Sequence, residues 1–334
     1  MSKNILIVIT TVVLVVVVGI GLYWLIQKQP EKYMGPVEKA TLGVYKGEFS
    51  SLVFIAEKQG YFKDNGLDMD ITEFDSGHFP TGELIKGRFD FSVGAEFVAV
   101  DYIFNHENVR IIGTVDLPDA IEVIAKKNSG ILKPEDLKGK KIGLQAGSQA
   151  DFLLGEFLIF NNMKYSDVDV RGYGQVFDFE DEFLKGDLDA VTVWQPFVHK
   201  FKKELGENAI SWNTQPFYFL AFTRSDVIGR NPEIVRRFVQ SLVDAEEYVK
   251  QNNEEARTLV RDNRGYEDSY ILEVWDKNKL KVQLSQELLI LMESEARWAI
   301  ANNLTDKTEV PNYMDYFYFD ALESVNPEAV TIIR

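Results

Sequence analysis

The chain has 334 residues, 46% of them hydrophobic and 26% charged, with no cysteine and a formal net charge of −16. That length exceeds one ordinary core and suits two lobes behind an N-terminal appendage, and the composition excludes a collagen-like, low-complexity or disulfide-stapled protein. The lack of a basic stripe argues against nucleic acid as a partner, and the lack of cysteine removes zinc ribbons, thiol nucleophiles and lipid attachment through an N-terminal cysteine.

The first element is Ile5–Ile26, ILIVITTVVLVVVVGIGLYWLI, 22 residues without a charge. At about 1.5 Å per helical residue this spans a hydrocarbon core of about 30 Å. Large residues fill its end and only Gly19 and Gly21 offer a weak cleavage site, so it is expected to be an uncleaved transmembrane anchor with Tyr23 and Trp24 at the interface. Lys3 before the span and Lys28, Glu31 and Lys32 after it barely decide orientation. Residues 1–36 carry a net +2, leaving −18 on residues 37–334. The expected picture is an acidic extracytoplasmic body, monomeric, tethered to the cell membrane.

Self-comparison of that body shows a repeat. Thr41–Ser50 (TLGVYKGEFS) matches Lys141–Ala150 (KIGLQAGSQA) at an offset of 100, and Glu83–Val93 (ELIKGRFDFSV) matches Glu182–Val193 (EFLKGDLDAVTV) at an offset of 99. The first pair reads as a strand, a glycine-bearing loop and a helix. The second reads as a helix end, a C′ glycine and a buried strand. Ser51–Gln59 with Leu67–Phe74, and Asp151–Asn161 with Val168–Tyr173, complete two β-α-β-α-β units of an open α/β sheet.

Between the copies, Val109–Val115 and Ile121–Ala125 read as strands, followed by a short helix from Pro134 that ends near Gly139. Phe217–Thr223 is a further strand, and the segments near 121–126 and 217–223 are expected to form a two-stranded hinge. Asn231 is a cap before Pro232 for a helix that turns Ile234, Val235, Phe238, Leu242 and Ala245 inward. Ser285 caps another, with Leu288, Leu289, Met292, Ala296 and Ala299 on its inner face. The expected lobes are 37–122 with 220–334, and 123–219.

Ligands of open α/β sheets sit beyond the carboxyl ends of strands, where helix N-termini present free N–H groups. The repeat places those ends at Tyr45–Ser50, Asp75–His78, Gly94–Phe97, Gln145–Gln149, Gly174–Phe177 and Trp194–Phe197, with a further loop at Asp116–Asp119. The candidate ligand-binding residues are Tyr45, Lys46, Glu48, Ser50, Asp75, His78, Glu96, Asp116, Ser148, Gln149, Trp194 and Gln195. Each also has a structural reading. Ser148 with Asp151 forms an S-x-x-D capping pattern, and Ser50 is a cap candidate. Lys46 and His78 suit a solvated surface, Phe49 and Phe177 suit the core, and Trp194 suits an exposed rim where indole could stack on a ring. Glu48, Asp75, Glu96 and Asp116 make these loops acidic.

No catalytic or metal constellation is present in the sequence: His78, His106 and His199 are scattered, and no P-loop, G-x-S-x-G or G-x-G-x-x-G occurs. No cofactor is expected. The runs Ser51–Ile71 (SLVFIAEKQGYFKDNGLDMDI), Glu83–Gly94, Ser129–Ser148 (SGILKPEDLKGKKIGLQAGS) and Glu182–Val191 resemble, in that order, the nitrate/sulfonate/taurine and thiamine-precursor class of ABC-importer substrate-binding proteins, the SsuA/THI5-like class. The resemblance implies the type 2 periplasmic-binding-protein fold: two α/β lobes, a two-strand hinge and an enclosed solute passed to an ABC permease with its ATPase. One lysine and one histidine in the loops favour an organic amine or pyrimidine-like solute over a bare inorganic anion, with organosulfonates as the other reading. Two alternatives are a solute sensor and a thiamine-pyrimidine enzyme on the same fold. By the same resemblance that enzyme chemistry needs a cysteine-rich signature, which this chain lacks.

Overall fold

The computed structural model describes residues 33–105 and 108–334. The expected span over Ile5–Ile26 lies outside the described residues. Among the described residues no helix is long and apolar enough to cross a membrane.

Each sequence repeat folds into half of a five-stranded mixed sheet. In the first, β1 (Glu38–Tyr45) leads through α1 (Ser51–Gln59) to β2 (Leu67–Phe74), then through α2 (His78–Ile85) to β3 (Phe91–Ala95). In the second, β6 (Lys141–Gln145), α4 (Gln149–Phe160), β7 (Asp169–Tyr173), α5 (Glu180–Lys185) and β8 (Ala190–Trp194) repeat the path. β1 pairs in parallel with β2 and β3, and β6 with β7 and β8. The matched glycines have matched reasons. A Cβ on Gly43 would lie 2.7 Å from the Phe89 ring, and one on Gly143 2.6 Å from Leu188, so both strands are kept bare where a side chain of the following turn crosses them. Gly87 and Gly186, at φ +83° and +103°, end α2 and α5 in the left-handed conformation that the repeat anticipates.

Each sheet is completed by an antiparallel strand inserted beside its third parallel one. The first sheet has the order β2-β1-β3-β10-β4, with β4 at Val109–Asp116 and β10 at Phe219–Arg224. The second has the order β7-β6-β8-β5-β9, with β5 at Ile121–Lys126 and β9 at Ala209–Asn213. β5 and β10 occupy equivalent slots, each antiparallel to both neighbours. This corrects the expected hinge. The segments 121–126 and 219–224 are strands inside the two sheets, because their apolar side chains are buried on both faces. The crossings are the short links 117–120 and 214–218, joined by Phe217 N–H to the Pro118 carbonyl (3.2 Å) and Thr214 N–H to that of Ile121 (3.1 Å). A third segment runs beside them: Leu117 and Asp119 donate to the carbonyls of Lys279 and Lys277.

The helices between and after the strands supply the remaining cover. α3 (Glu96–Ile103) follows β3, and α6 (Phe197–Leu205) follows β8. α7 (Pro232–Gln251) buries the stripe anticipated from its sequence and stacks Phe238 on Phe91 of β3, centroids 4.2 Å apart. Each such ring removed from water contributes about 2–3 kcal/mol. Asn231 does not cap this helix; its side-chain amide donates to Glu38 Oε1 at 2.7 Å instead. α8 (Asn253–Arg264) and α9 (Asp268–Val274) lead to α10 (Gln286–Ala301), whose Ser285 cap accepts from Leu288 N–H as expected. Residues Val37–Arg334 form one compact unit.

Candidate functional site

The carboxyl ends of β1 and β3 face those of β6 and β8, and a cavity of about 40 Å³ lies where they meet. About 10–15 Å³ takes one water-sized group, so this space admits a few. From the first lobe it is lined by Tyr45, Phe49, Ser76, Gly77, His78, Ala95 and Val98. The second lobe contributes Ser148, Gln149 and Trp194, the crossing 214–218 contributes Phe217, and the adjoining first residues of β5 and β10 contribute Ile121 and Phe219. Rings form much of the wall. Phe49 lies edge-on to Phe217 with centroids at 5.5 Å, and Tyr45 lies 5.5 Å from Phe49 and 6.1 Å from Phe219. Among the cavity's lining residues there is no lysine or arginine.

Tyr45 also ties the lobes together. Its hydroxyl donates to the Gln195 backbone carbonyl at 2.8 Å, both groups buried. Burial, with the nearby Glu48 carboxyl, pushes the phenol well above its ordinary pKa, while the Trp194 indole acts in the opposite sense. Gln149 is a second tie. Its side-chain oxygen accepts from Phe97 N–H of α3 at 3.1 Å, and its amide donates to Glu96 and to Glu295 of α10 at 3.2 Å each. Ser76 Oγ reaches Gln145 Oε1 at 3.5 Å as a weaker third contact.

A wider opening adjoins the cavity at Tyr45 and is lined by Lys46, Asp75, Phe177, Arg264, Tyr266 and Tyr270, with His199, Lys200 and Lys203 from α6. Its cations are partnered: Lys46 with Asp75, Lys200 with Glu180, and Arg264 with both carboxylate oxygens of Glu73 at 2.7 Å.

Of the twelve candidate residues, the structure brings Tyr45, His78, Ser148, Gln149 and Trp194 to the inner cavity and Lys46 and Asp75 to the outer opening. The other five stand behind these walls. Glu48 is fully buried, accepts from the hydroxyls of Tyr270 (3.0 Å) and Tyr266 (3.4 Å), and is raised to about 7 by burial, against the pull of its own backbone N–H and those hydroxyls. Asp116, at the end of β4, is raised well above the usual range by burial, and Glu48 adds to that shift. Ser50 is buried with no hydrogen-bond partner for its hydroxyl, so it is no cap. Gln195 is buried and accepts His199 N–H on its side chain. Glu96 lies behind Gln149.

Several local readings change. Ser148 and Asp151 do not form a capping box, because Ser148 Oγ donates to the Gln145 carbonyl at 2.7 Å, while Asp151 accepts from Gly147 N–H and from the Tyr165 hydroxyl. Trp194 is buried, not an exposed rim residue, since Phe197 packs edge-on against it. Phe177 is half exposed at the outer opening, with Phe197 edge-on against it. His78 is half buried, and burial lowers its pKa. The cavity residues Phe217 and Phe219 were not singled out as site residues, although the aromatic run FYFLAF at the crossing is a visible signal. Arg264, Tyr270 and Glu295, on helices, and Tyr266, in the link between α8 and α9, are remote in sequence and carry no local signal.

Among the described residues no group of three or more His, Cys, Asp or Glu is placed to hold a metal ion. The arrangement can enclose a small molecule between rings, with polar atoms at Ser76, His78, Ser148 and Gln149.

A model of the NMT1/THI5-like family matches residues 50–256, more than half of the chain. The chain belongs to the NMT1/THI5-like family. Relatives include a Brucella abortus protein provisionally named a binding protein, 28% identical over 66% of this chain and 69% of its own length. A Bacillus subtilis relative, provisionally named an aliphatic sulfonates-binding protein, is 24% identical over 77% of this chain and 80% of its own. The fold is similar to that of the crystal structure of the periplasmic aliphatic sulphonate binding protein SsuA from Escherichia coli, with a TM-score of 0.71, 18% identity, and coverage of 84% of this chain and 97% of that one. The fold is therefore the two-lobed periplasmic-binding-protein fold, as the resemblance implied. The desulfurization enzyme DSZB has it too, with a TM-score of 0.61 at 16% identity, covering 87% of this chain and 99% of that one.

Proposed function

We propose that this NMT1/THI5-like chain is an extracytoplasmic receptor that captures a small organic solute between its lobes and delivers it to an ABC permease and its ATPase. The observation that carries this reading is the ring-walled cavity between the carboxyl ends of two matched sheets, bridged by Tyr45 and Gln149. A solute draws such a site closed only through contacts that the closed lobes make and the open ones do not. Sheet membership supports lobes of 37–122 with 220–334 and of 123–219, to within about two residues at the crossings. The apolar run Ile5–Ile26 supports a single-pass tether.

A planar amine or pyrimidine-like solute suits rings at two sides and no lysine or arginine inside. The names of relatives that bind sulfonates favour the second reading, an organosulfonate. Its anionic end would then rest on N–H groups in the first turns of α2 and α4. The chain is read as a binder and not an enzyme because the cavity holds no paired nucleophile and base. A thermal-shift screen of the full chain against hydroxymethylpyrimidine, aliphatic amines, taurine and butanesulfonate tests the proposal. Stabilisation by one class is expected, and no stabilisation by any member counts against it.

A further inference from the structure

The lobes meet on a pair of carboxyl groups for which the described residues supply no ion-paired cation. Glu96, at the start of α3, and Glu295, in the middle of α10, are both fully buried. Each gives one oxygen to the Gln149 amide at 3.2 Å, and the second oxygen of each has no hydrogen-bond partner. The amide has only two N–H bonds to offer, and its own oxygen is occupied by Phe97 N–H. Each carboxylate taken from water costs several kcal/mol unless a partner compensates it. The ionisable groups that act on the pair are themselves acidic: Glu156 of α4 and Glu96 on Glu295, with Tyr313 and Tyr218 beside them. From α2, His78 faces Tyr102 and Asp101 of α3 and not the pair. Trp298 of α10 seals the same seam, edge-on to Phe97 of α3 and to Phe152 of α4.

We propose that the seam is a proton-binding site: on lobe closure Glu96 and Glu295 take up a proton on the Gln149 carboxamide, so that hydrogen ion is a co-ligand of the solute-holding state. This rests on the reading of the protein as a receptor that closes on its solute. The O–H bond formed draws its proton from solvent, and opening returns it when water reaches the pair.

The direction of the linkage follows from acids whose pKa is raised in the closed state. Glu96 is pushed up to about 8 by burial, partly held back by the backbone N–H groups of Tyr218 and Glu96, and Glu295 is pushed up by burial and by Glu96. Below the pKa of a solvated carboxyl, both states hold the proton and closure is unpenalised. Between there and about 8, closure must draw a proton, and the closed-to-open ratio falls about tenfold per pH unit for each one. Above that the loss due to Glu96 is complete.

The chain has no cysteine, so Lys63→Cys and Lys133→Cys, at exposed positions of the two lobes, take spin labels without background. Interlobe distances are measured on the full chain at pH 6 and pH 9, without solute and with taurine, butanesulfonate or hydroxymethylpyrimidine. The ratio of short- to long-distance populations is expected to fall at least tenfold from pH 6 to pH 9, and to hold steady in the Glu96→Gln/Glu295→Gln double variant. Identical distributions at both pH values, or a pH response that survives in the double variant, overturn the proposal. If the double variant does not fold, the two single Gln variants replace it; each must reduce the response, and an unaltered response overturns the proposal equally. Shortening by solute with no pH response refutes the proton site alone. A pH response that no solute of the panel augments refutes the solute reading alone.

Discussion

Tyr45→Phe separates closure from folding. The substitution keeps the ring against Phe49 and Phe219 and removes only the hydroxyl that reaches Gln195. A net hydrogen bond contributes about 0.5–1.5 kcal/mol, and an acceptor left buried without one costs about 1–3 kcal/mol. The Gln195 carbonyl is buried in the closed form and belongs to the other lobe, so the cost falls on closing and not on the fold of either lobe. A penalty of about 1–2 kcal/mol is expected, which is about 5–30-fold weaker solute binding by titration calorimetry. Chemical denaturation without solute should show a smaller loss. Affinity within twofold of the original would refute the reasoning, because the hydroxyl would then be equally well satisfied with the lobes apart.

Trp194→Ala should weaken solute binding and also lower stability by about 3–4 kcal/mol in chemical denaturation, since the indole is core as well as wall. Gly155→Ala would set a Cβ 2.5 Å from Trp298 Nε1 at the seam of α4 and α10, and a loss of about 1–3 kcal/mol is expected by the same measurement. Glu48 is an acid raised in the folded state from 4.5 to about 7, so folded protein holds a proton that unfolded protein has released. Its share of stability is intact below about 4.5, declines through that window by about 1.4 kcal/mol per pH unit, and is fully lost above about 7. Denaturation curves of Glu48→Gln should therefore lose less stability than the original between pH 5 and 7; parallel profiles would refute the assignment.

The repeat was legible because its glycines answer to local sterics: Gly43 and Gly143 yield to a crossing side chain, Gly87 and Gly186 to a left-handed turn. The strand partners were less legible. Val109–Asp116 and Ile121–Lys126 are both apolar runs, and nothing local says that they belong to different sheets. The pattern S-x-x-D at Ser148 misled because the Gln145 carbonyl and Tyr165, 14 residues beyond Asp151, compete for the same side chains. Tyr45, Gln149 and Trp194 could be placed from strand ends alone. Glu295 could not, for it sits on a helix whose hydrophobic spacing gives no hint that one acid faces inward.

The exchanged strands also set an order of manufacture. All five strands of the second sheet are drawn from Ile121–Asn213, so that half can be finished as soon as those residues have left the ribosome. The first sheet begins at Glu38 but lacks its fourth strand until Arg224 emerges, and until then β4 has no neighbour to join it to β3. The half made earliest is thus completed last, and a nascent chain of which only residues up to about 215 have emerged would carry one finished sheet behind one with a missing stave.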